Sequence, residues 1–276
     1  MENEVSYRSL FDLTGRVAVV TGGAGILGRY FCAGLAESGA KVAVVDIMEE
    51  AARELAKELT ERYSVPCLGI GCDVSQPSSV ANLVCQVVNE WGRIDILHNN
   101  AATKSDNLDE FFASFEDYKL EEWRKIMSVN LDGIFLVAQA VGKQMISQGS
   151  GGSIIQTSSI YGILAPDFRI YEGSHYLGKQ INTPAVYSTS KSGVIGLTTY
   201  LSAYWAGKGI RVNSLVLGGV DSGQNAEFKE RYSARIPLGR MAQATEVVSA
   251  LLYLASDASK YVTGQSIIVD GGLSAW

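Results

Sequence analysis

Histidine, cysteine and proline are scarce in this chain, and charge of neither sign runs in blocks. The only 2 histidines are His98 and His175, and no cysteine pair stands at ligand spacing. A metal centre is therefore not expected. The 4 cysteines, Cys32, Cys67, Cys72 and Cys85, fall inside expected strands and helices. They read as reduced core thiols of a cytoplasmic protein, not as a disulfide framework. No stretch approaches the ~18 uninterrupted apolar residues of a membrane span. The opening "MENEVSYRSLFDLTGR" has no apolar run behind a basic start and does not read as a secretory signal. Lys and Arg number 23 against 29 Asp and Glu, for a net charge of −6. Without a basic cluster, a nucleic-acid partner is not expected.

What is present is a regular alternation. Hydrophobic residues make up 47% and charged residues 19% of 276, which suits one large α/β domain spanning 1–276. Short β-branched runs at 16–22, 41–46, 67–74, 94–100, 152–159, 210–217 and 265–272 read as buried strands. Helical segments at 25–38, 48–62, 77–91, 120–148, 185–208 and 244–256 separate them. Apolar strands alternating with helices predict a Rossmann-like, doubly wound, seven-stranded parallel sheet with helices on both faces. The segments 103–119, 162–184 and 218–240 read as irregular. All three follow strand ends on the side where such sheets bind ligands.

At the first strand end, "VVTGGAGILG" places Gly23, Gly25 and Gly28 in G-x-G-x-x-G spacing. Glycines there let the backbone turn tightly and approach a pyrophosphate at a helix N-terminus. Asp46 closes the second strand, 18 residues past Gly28. A carboxylate there accepts from both ribose hydroxyls and repels a 2′-phosphate. With no Lys or Arg in the glycine turn or immediately after Asp46, the expected cofactor is NAD rather than NADP. The other reading of Asp46 is a cap for the helix "DIMEEAARELAKEL".

At the other end, Tyr187 and Lys191 stand at i and i+4, on one side of a helix. An ammonium beside a phenol lowers its pKa, and the phenol can then exchange a proton with an alcohol. Y-x-x-x-K alone occurs by chance on many helices. Here its helix follows a strand ending in "TSS", in a chain that begins with a dinucleotide turn.

With "CDV" (72–74), "NNAA" (99–102), "SVNLDG" around Asn130, "YSTSK" (187–191), "GIRVNSLVLGG" and "YVTGQSIIVDGG", the chain resembles the short-chain dehydrogenase/reductase family over nearly its whole length. The resemblance implies a tetrad of Asn130, Ser159, Tyr187 and Lys191. Tyr187 would be the acid/base and Lys191 would hold the nicotinamide ribose. Ser159, the second of its pair, would orient the substrate oxygen, and Asn130 would hold a proton-relaying water. It implies cofactor contacts by Gly22, Gly23, Gly25, Ile26, Leu27, Asp46, Ile47, Asp73, Val74, Asn100, Ala101, Gly218, Val220 and Ser222, besides Tyr187 and Lys191. Helices 120–148 and 185–208 carry apolar or small residues around their circumference and need a partner beyond their own sheet, so a homotetramer is expected. The resemblance implies that these helices form one contact and the end of the last strand a second. Trp276 would be an odd exposed aromatic unless it packs on a neighbour.

Three departures stand out. Ile26 replaces a glycine, so the turn reads T-G-x-x-G-x-x-G and resembles the branch that contains sugar-nucleotide epimerases and dehydratases. Ala102 replaces a glycine, and Leu217 replaces a proline, which leaves the following loop freer to move. The expected function is interconversion of a secondary alcohol and a ketone. The alternatives are a redox-neutral epimerase or dehydratase and a catalytically silent NAD-binding scaffold.

Ser159 precedes Tyr187 by 28 residues. The resemblance implies a much shorter spacing, so the chain carries an insertion within 163–184. Both its ends border the reacting centre, where an insertion shapes a wall or lid. Its Arg169, Glu172, His175 and Lys179 suggest contacts to a hydroxyl-rich or anionic substrate, such as a sugar or sugar acid; the other reading is that they simply solvate an exposed loop.

Overall fold

The computed structural model describes residues 6–105 and 107–276. The reading of residues 1–5 and of Asp106 lies outside them. In chain order the elements are β1 (Val17–Thr21), α1 (Gly28–Glu37), β2 (Lys41–Asp46), α2 (Glu49–Tyr63), β3 (Cys67–Gly71), α3 (Pro77–Trp91), β4 (Ile96–Asn99) and α4 (Leu108–Phe111). Then come α5 (Leu120–Met127), α6 (Ile134–Gln148), β5 (Gly152–Ser159), β6 (His175–Tyr176), β7 (Lys179–Gln180), α7 (Ala185–Trp205), β8 (Ile210–Leu217), α8 (Ala226–Ser233), α9 (Ala244–Ala255) and β9 (Ser266–Val269).

Seven strands form one parallel sheet in the order β3-β2-β1-β4-β5-β8-β9. Strand order reverses direction between β1 and β4, and the crevice outside those strand ends is where such sheets take ligands. Two cores cover the two faces. One packs Phe31, Leu35, Leu59, Val247 and Leu251 from α1, α2 and α9 against Val20 and Val44. The other packs Leu83, Val137, Val141 and Trp205 from α3, α6 and α7 against Val19 and Leu97. Burial on both faces explains why β1, VAVVT, carries no alternation.

Element ends follow local chemistry. Pro77 opens α3, and Gly92 closes it at φ 77°. Some readings of the sequence differ from the structure. The segment 218–240, read as irregular, carries the eight-residue helix α8, opened by Asn225, whose side chain accepts from the Phe228 N–H. Helix α1 starts at Gly28, not residue 25, because the glycine turn occupies 22–27. The segment 120–148 is not one regular helix: residues 128–133 form a π-helical stretch between α5 and α6. Such widened turns re-aim the residues within them, here Asn130.

Candidate active site

The glycine turn is shaped by contacts that only glycine permits. Gly22 has φ 62°, and a Cβ on Gly28 would sit 2.0 Å from the Gly22 carbonyl oxygen. The Gly23 N–H donates to the Val45 carbonyl (2.8 Å), and the Ala24 N–H donates to Asp46 Oδ2 (3.1 Å). Among the described residues the amides of Ile26 and Leu27 have no protein acceptor. They stand at the N-terminal end of α1, where an anionic group is favoured.

Asp46 does not cap α2. Its Oδ1 accepts from the Met48 N–H (3.1 Å) while Oδ2 holds Ala24, so it ties the end of β2 to the glycine turn. A cavity of about 490 Å³ opens beside it, bordered by Gly22, Gly25, Ile26, Leu27, Asp46, Ile47, Asp73, Val74, Asn100 and Ala101. Among the described residues its lining carries two carboxylates and no Lys or Arg. Gly23 lies beneath that surface, packed on Val44 and Cys32. Asp73 Oδ1 accepts from the Ser75 amide (2.9 Å) and hydroxyl (2.7 Å), which fixes the turn after β3.

A second cavity, of about 310 Å³, shares Ile26, Leu27, Asn100 and Ala102 with the first and reaches Ser159, Tyr187, Lys191, Gly218, Val220 and Ser222. The two together form one trough from Asp46 to Tyr187. Leu217 extends β8 into full register with both Ser159 and Val269. The loop beyond it is tied at two points. Val220 bridges to Ala242, and Asp221 pairs with Lys229 (2.7 Å).

Tyr187 and Lys191 project from α7 into this trough. Lys191 is buried, and its Nζ donates to the Thr157 carbonyl (3.0 Å) and lies 6.0 Å from the centre of the Tyr187 ring. Burial pulls the Lys191 pKa down to about 8. Burial pushes the Tyr187 phenol up, and the Ser159 hydroxyl beside it pulls the other way. Both groups are desolvated, and the ammonium is bonded to a carbonyl. Ser158 donates to the Lys191 carbonyl (2.8 Å), so of the two serines Ser159 is left for the reacting centre. Asn130 is fully buried and spends its carboxamide on Thr103, accepting from the N–H (2.8 Å) and donating to the C=O (3.4 Å).

The structure does not bring the four polar insertion residues together. Arg169 is 83% exposed and forks onto Asp167 (2.8 and 2.7 Å). Lys179 pairs with Asp109 (2.7 Å), and Glu172 and His175 are exposed. None of the four lines either arm of the trough. The backbone around them reaches across instead: Asn225 donates to the His175 carbonyl (3.0 Å), and Arg231 donates to the Glu172 carbonyl. The insertion's inward face is aromatic. Tyr171 stacks on Phe228 (5.6 Å), bonds Thr183 Oγ1 (2.5 Å) and clusters with Tyr161 and Tyr232 against Tyr187. Sequence reading missed this wall because it weighed the polar residues of the insertion and not which side they face. The insertion also borders a cavity of about 730 Å³, with Phe115, Tyr118, Ile163, Leu164 and Phe168 on its walls.

A parallel doubly wound sheet, a glycine turn and a Ser–Tyr–Lys trough define a nicotinamide-dependent oxidoreductase fold. The family described as enoyl-(acyl carrier protein) reductase matches residues 22–274, and the chain belongs to the short-chain dehydrogenase/reductase family, oxidoreductases that act on CH–OH groups. It is 35% identical to a D-threitol dehydrogenase of Mycolicibacterium smegmatis, over 98% of this chain and 96% of that one. It is 36% identical to a 3-oxoacyl-(acyl-carrier-protein) reductase of Thermotoga maritima, over 95% and 98%. A gluconate 5-dehydrogenase from Burkholderia cenocepacia, crystallised with NADP and tartrate, superposes with a TM-score of 0.85 at 33% identity, over 97% of this chain and 98% of that one. Among the described residues no helix is long and apolar enough to cross a membrane.

Proposed function

We propose that this chain is an NAD(H)-dependent dehydrogenase that interconverts a secondary alcohol and a ketone on a small hydroxyl-rich substrate, a polyol or sugar acid. The observation that carries the reading is the trough itself, with two carboxylates at one end and Ser159, Tyr187 and Lys191 at the other. Asp46 would take the ribose hydroxyls, and with no Lys or Arg in that lining a 2′-phosphate would meet only like charge. The free amides of Ile26 and Leu27 would take the pyrophosphate. The bound nicotinamide would supply or accept the hydride.

The residues of the chain do the rest. Ser159 orients the substrate oxygen toward Tyr187. A phenol raised by burial stays protonated and stands ready to donate to a carbonyl oxygen. In the oxidative direction Tyr187 must lose that proton first, and the Lys191 ammonium stabilises the resulting charge. Asn130 fixes the Thr103 loop, and its part in holding a relay water belongs to this proposal. So does a homotetramer in the cytoplasm. Phe135, Ile146, Tyr200 and Tyr204 leave an apolar groove of about 410 Å³ on α6 and α7, and Ile268 of β9 is exposed, which supports the two faces of contact. Trp276 is 80% exposed and touches its own chain through the Arg235 carbonyl (3.0 Å).

The aromatic wall and the cavity of about 730 Å³ favour a second reading, a substrate with an apolar arm such as an acyl thioester. A panel of polyols, aldonates and 3-oxoacyl thioesters, assayed with each nicotinamide cofactor by NAD(P)H absorbance, decides between them. Turnover of polyols with NAD supports the first reading, and turnover of the thioesters alone supports the second. Redox-neutral conversion with retained NAD would return the epimerase alternative, and no turnover at all the silent scaffold.

A further inference from the structure

His98 is the one imidazole in a strand otherwise built for the core. It lies fully buried on β4 and meets the Phe31 ring edge-on at 4.5 Å. Burial pushes its pKa down to about 3, so the ring is neutral and carries a single N–H. Its Nε2 lies 2.8 Å from Thr157 Oγ1. The Thr157 hydroxyl has one hydrogen, and it donates that to Asn100 Oδ1 (3.3 Å). The orientation of the Asn100 amide agrees, since its Nδ2 donates to the Thr21 carbonyl (3.2 Å) and the Gly22 carbonyl (3.5 Å). The network therefore assigns the proton of His98 to Nε2. Its Nδ1 is left as a buried acceptor with no partner among the described residues. An orphaned acceptor costs stability, and an aliphatic residue in its place would avoid that cost.

What offsets the cost is the position of Thr157. Its hydroxyl is held from behind by His98, and its carbonyl receives the Lys191 ammonium (3.0 Å). Thr157, Asn100 and Lys191 all border the Tyr187 arm of the trough, and His98 does not. We propose that His98 is a positioning residue: its Nε2–H fixes Thr157, and through Thr157 it sets Asn100, the glycine turn and Lys191 for cofactor binding. The proposal rests on the reading of the trough as an NAD(H) site.

The test is an NADH fluorescence titration of wild type, His98→Leu, His98→Gln, Thr157→Val and the double variant His98→Leu/Thr157→Val, with a thermal melt of each. Glutamine can place an N–H near the Nε2 position, and leucine cannot. His98→Leu is expected to weaken NADH binding about tenfold, the size of one buried hydrogen bond. Its Tm should not fall, because the orphaned nitrogen is gone. His98→Gln should restore most of the affinity. Thr157→Val should show the same loss, and the double variant should lose no more than either single one. In steady state the KM for NADH should rise more than kcat falls. Nitrogen NMR of the wild type should show a neutral ring protonated at Nε2. Wild-type affinity in His98→Leu, a glutamine variant as weak as leucine, fully additive losses, or a ring protonated at Nδ1 would each overturn the proposal. Failure of the wild type to bind NADH would instead overturn the reading of the trough, and this proposal with it.

Discussion

The glycine turn at 22–28 and the insertion at 163–184 both border the reacting centre, but their polar groups point in opposite directions. In the turn, backbone amides and the Asp46 carboxylate face inward onto a trough. In the insertion, Arg169, Glu172, His175 and Lys179 face outward, and Tyr171 faces in. The turn sits between β1 and α1, whose hydrogen bonds dictate where each amide points. The insertion has no regular element longer than a few residues, so its side chains sort by burial. Arg169, with an acidic partner two residues away, stays in water. Tyr171, with Phe228 and Tyr232 to stack on, goes inside. Polar groups therefore line a cavity in the first region and meet solvent in the second.

The largest effect should come from the first region. Lys191→Met is expected to cut turnover by on the order of 10³-fold, since it removes the charge that stabilises the Tyr187 phenolate. The same ammonium gives wild type a pH signature. Its pKa lies at about 8 in the folded chain against 10.5 for an ordinary lysine, so it loses its proton as pH rises through 8. NADH affinity should fall across that window in wild type and stay flat in Lys191→Met. Stability shows the opposite sign. Between pH 8 and 10.5 the unfolded chain holds a proton that the folded chain has lost, so the contribution of this group to stability rises with pH. Denaturant titrations of both proteins across that window check the sign.

In the second region the inward residue should dominate. Tyr171 is 6% exposed, and Tyr171→Ala should lower the unfolding free energy by about 3 kcal/mol, the cost of emptying an aromatic site. Urea unfolding measures it. A loss below about 0.5 kcal/mol would show that the wall is not packed, and the contrast with Arg169 would collapse.

Asp46→Ala should narrow the preference for NAD over NADP by about 10- to 100-fold, the range of one charge-assisted hydrogen bond. Comparing kcat/KM for the two cofactors in wild type and variant reads it directly, and equal efficiencies in wild type would refute the role given to Asp46. At the small end, Arg169→Ala and Lys179→Ala should each shift stability by less than about 0.5 kcal/mol, as exposed ion pairs do, and leave NADH affinity unchanged. A large rise in substrate KM in either would return the polar insertion to the site.

The sheet and its parallel sense were legible because apolar periodicity encodes them, and Ser159 and the cofactor-side residues were named through motifs that resemble those of the family. Short apolar runs rich in β-branched residues, such as VAVVT, read as strands covered on both faces, and Tyr187 and Lys191 share a helix side by their i, i+4 spacing. The π-helical stretch at 128–133 was not legible, since SVNLDG reads as ordinary helix and the partner of Asn130 within it, Thr103, lies 27 residues away. Nor was the tie from His98 to Thr157, which joins residues 59 positions apart on neighbouring strands. The hydrogen bond of Lys191 was illegible for a related reason. Spacing shows that an ammonium is near, but not that its hydrogen bond goes to the Thr157 carbonyl.

The most direct test of the account is one pair of proteins and two readouts. Wild type and Tyr187→Phe are titrated with NADH by fluorescence, then assayed with the best alcohol or ketone from the substrate panel. The account predicts equal NADH affinity, with turnover in the variant lower by about 10²–10⁴-fold, because only the oxygen that moves the proton has been removed. Near-full turnover by Tyr187→Phe would contradict it, and so would a loss of NADH binding that matches the loss of rate.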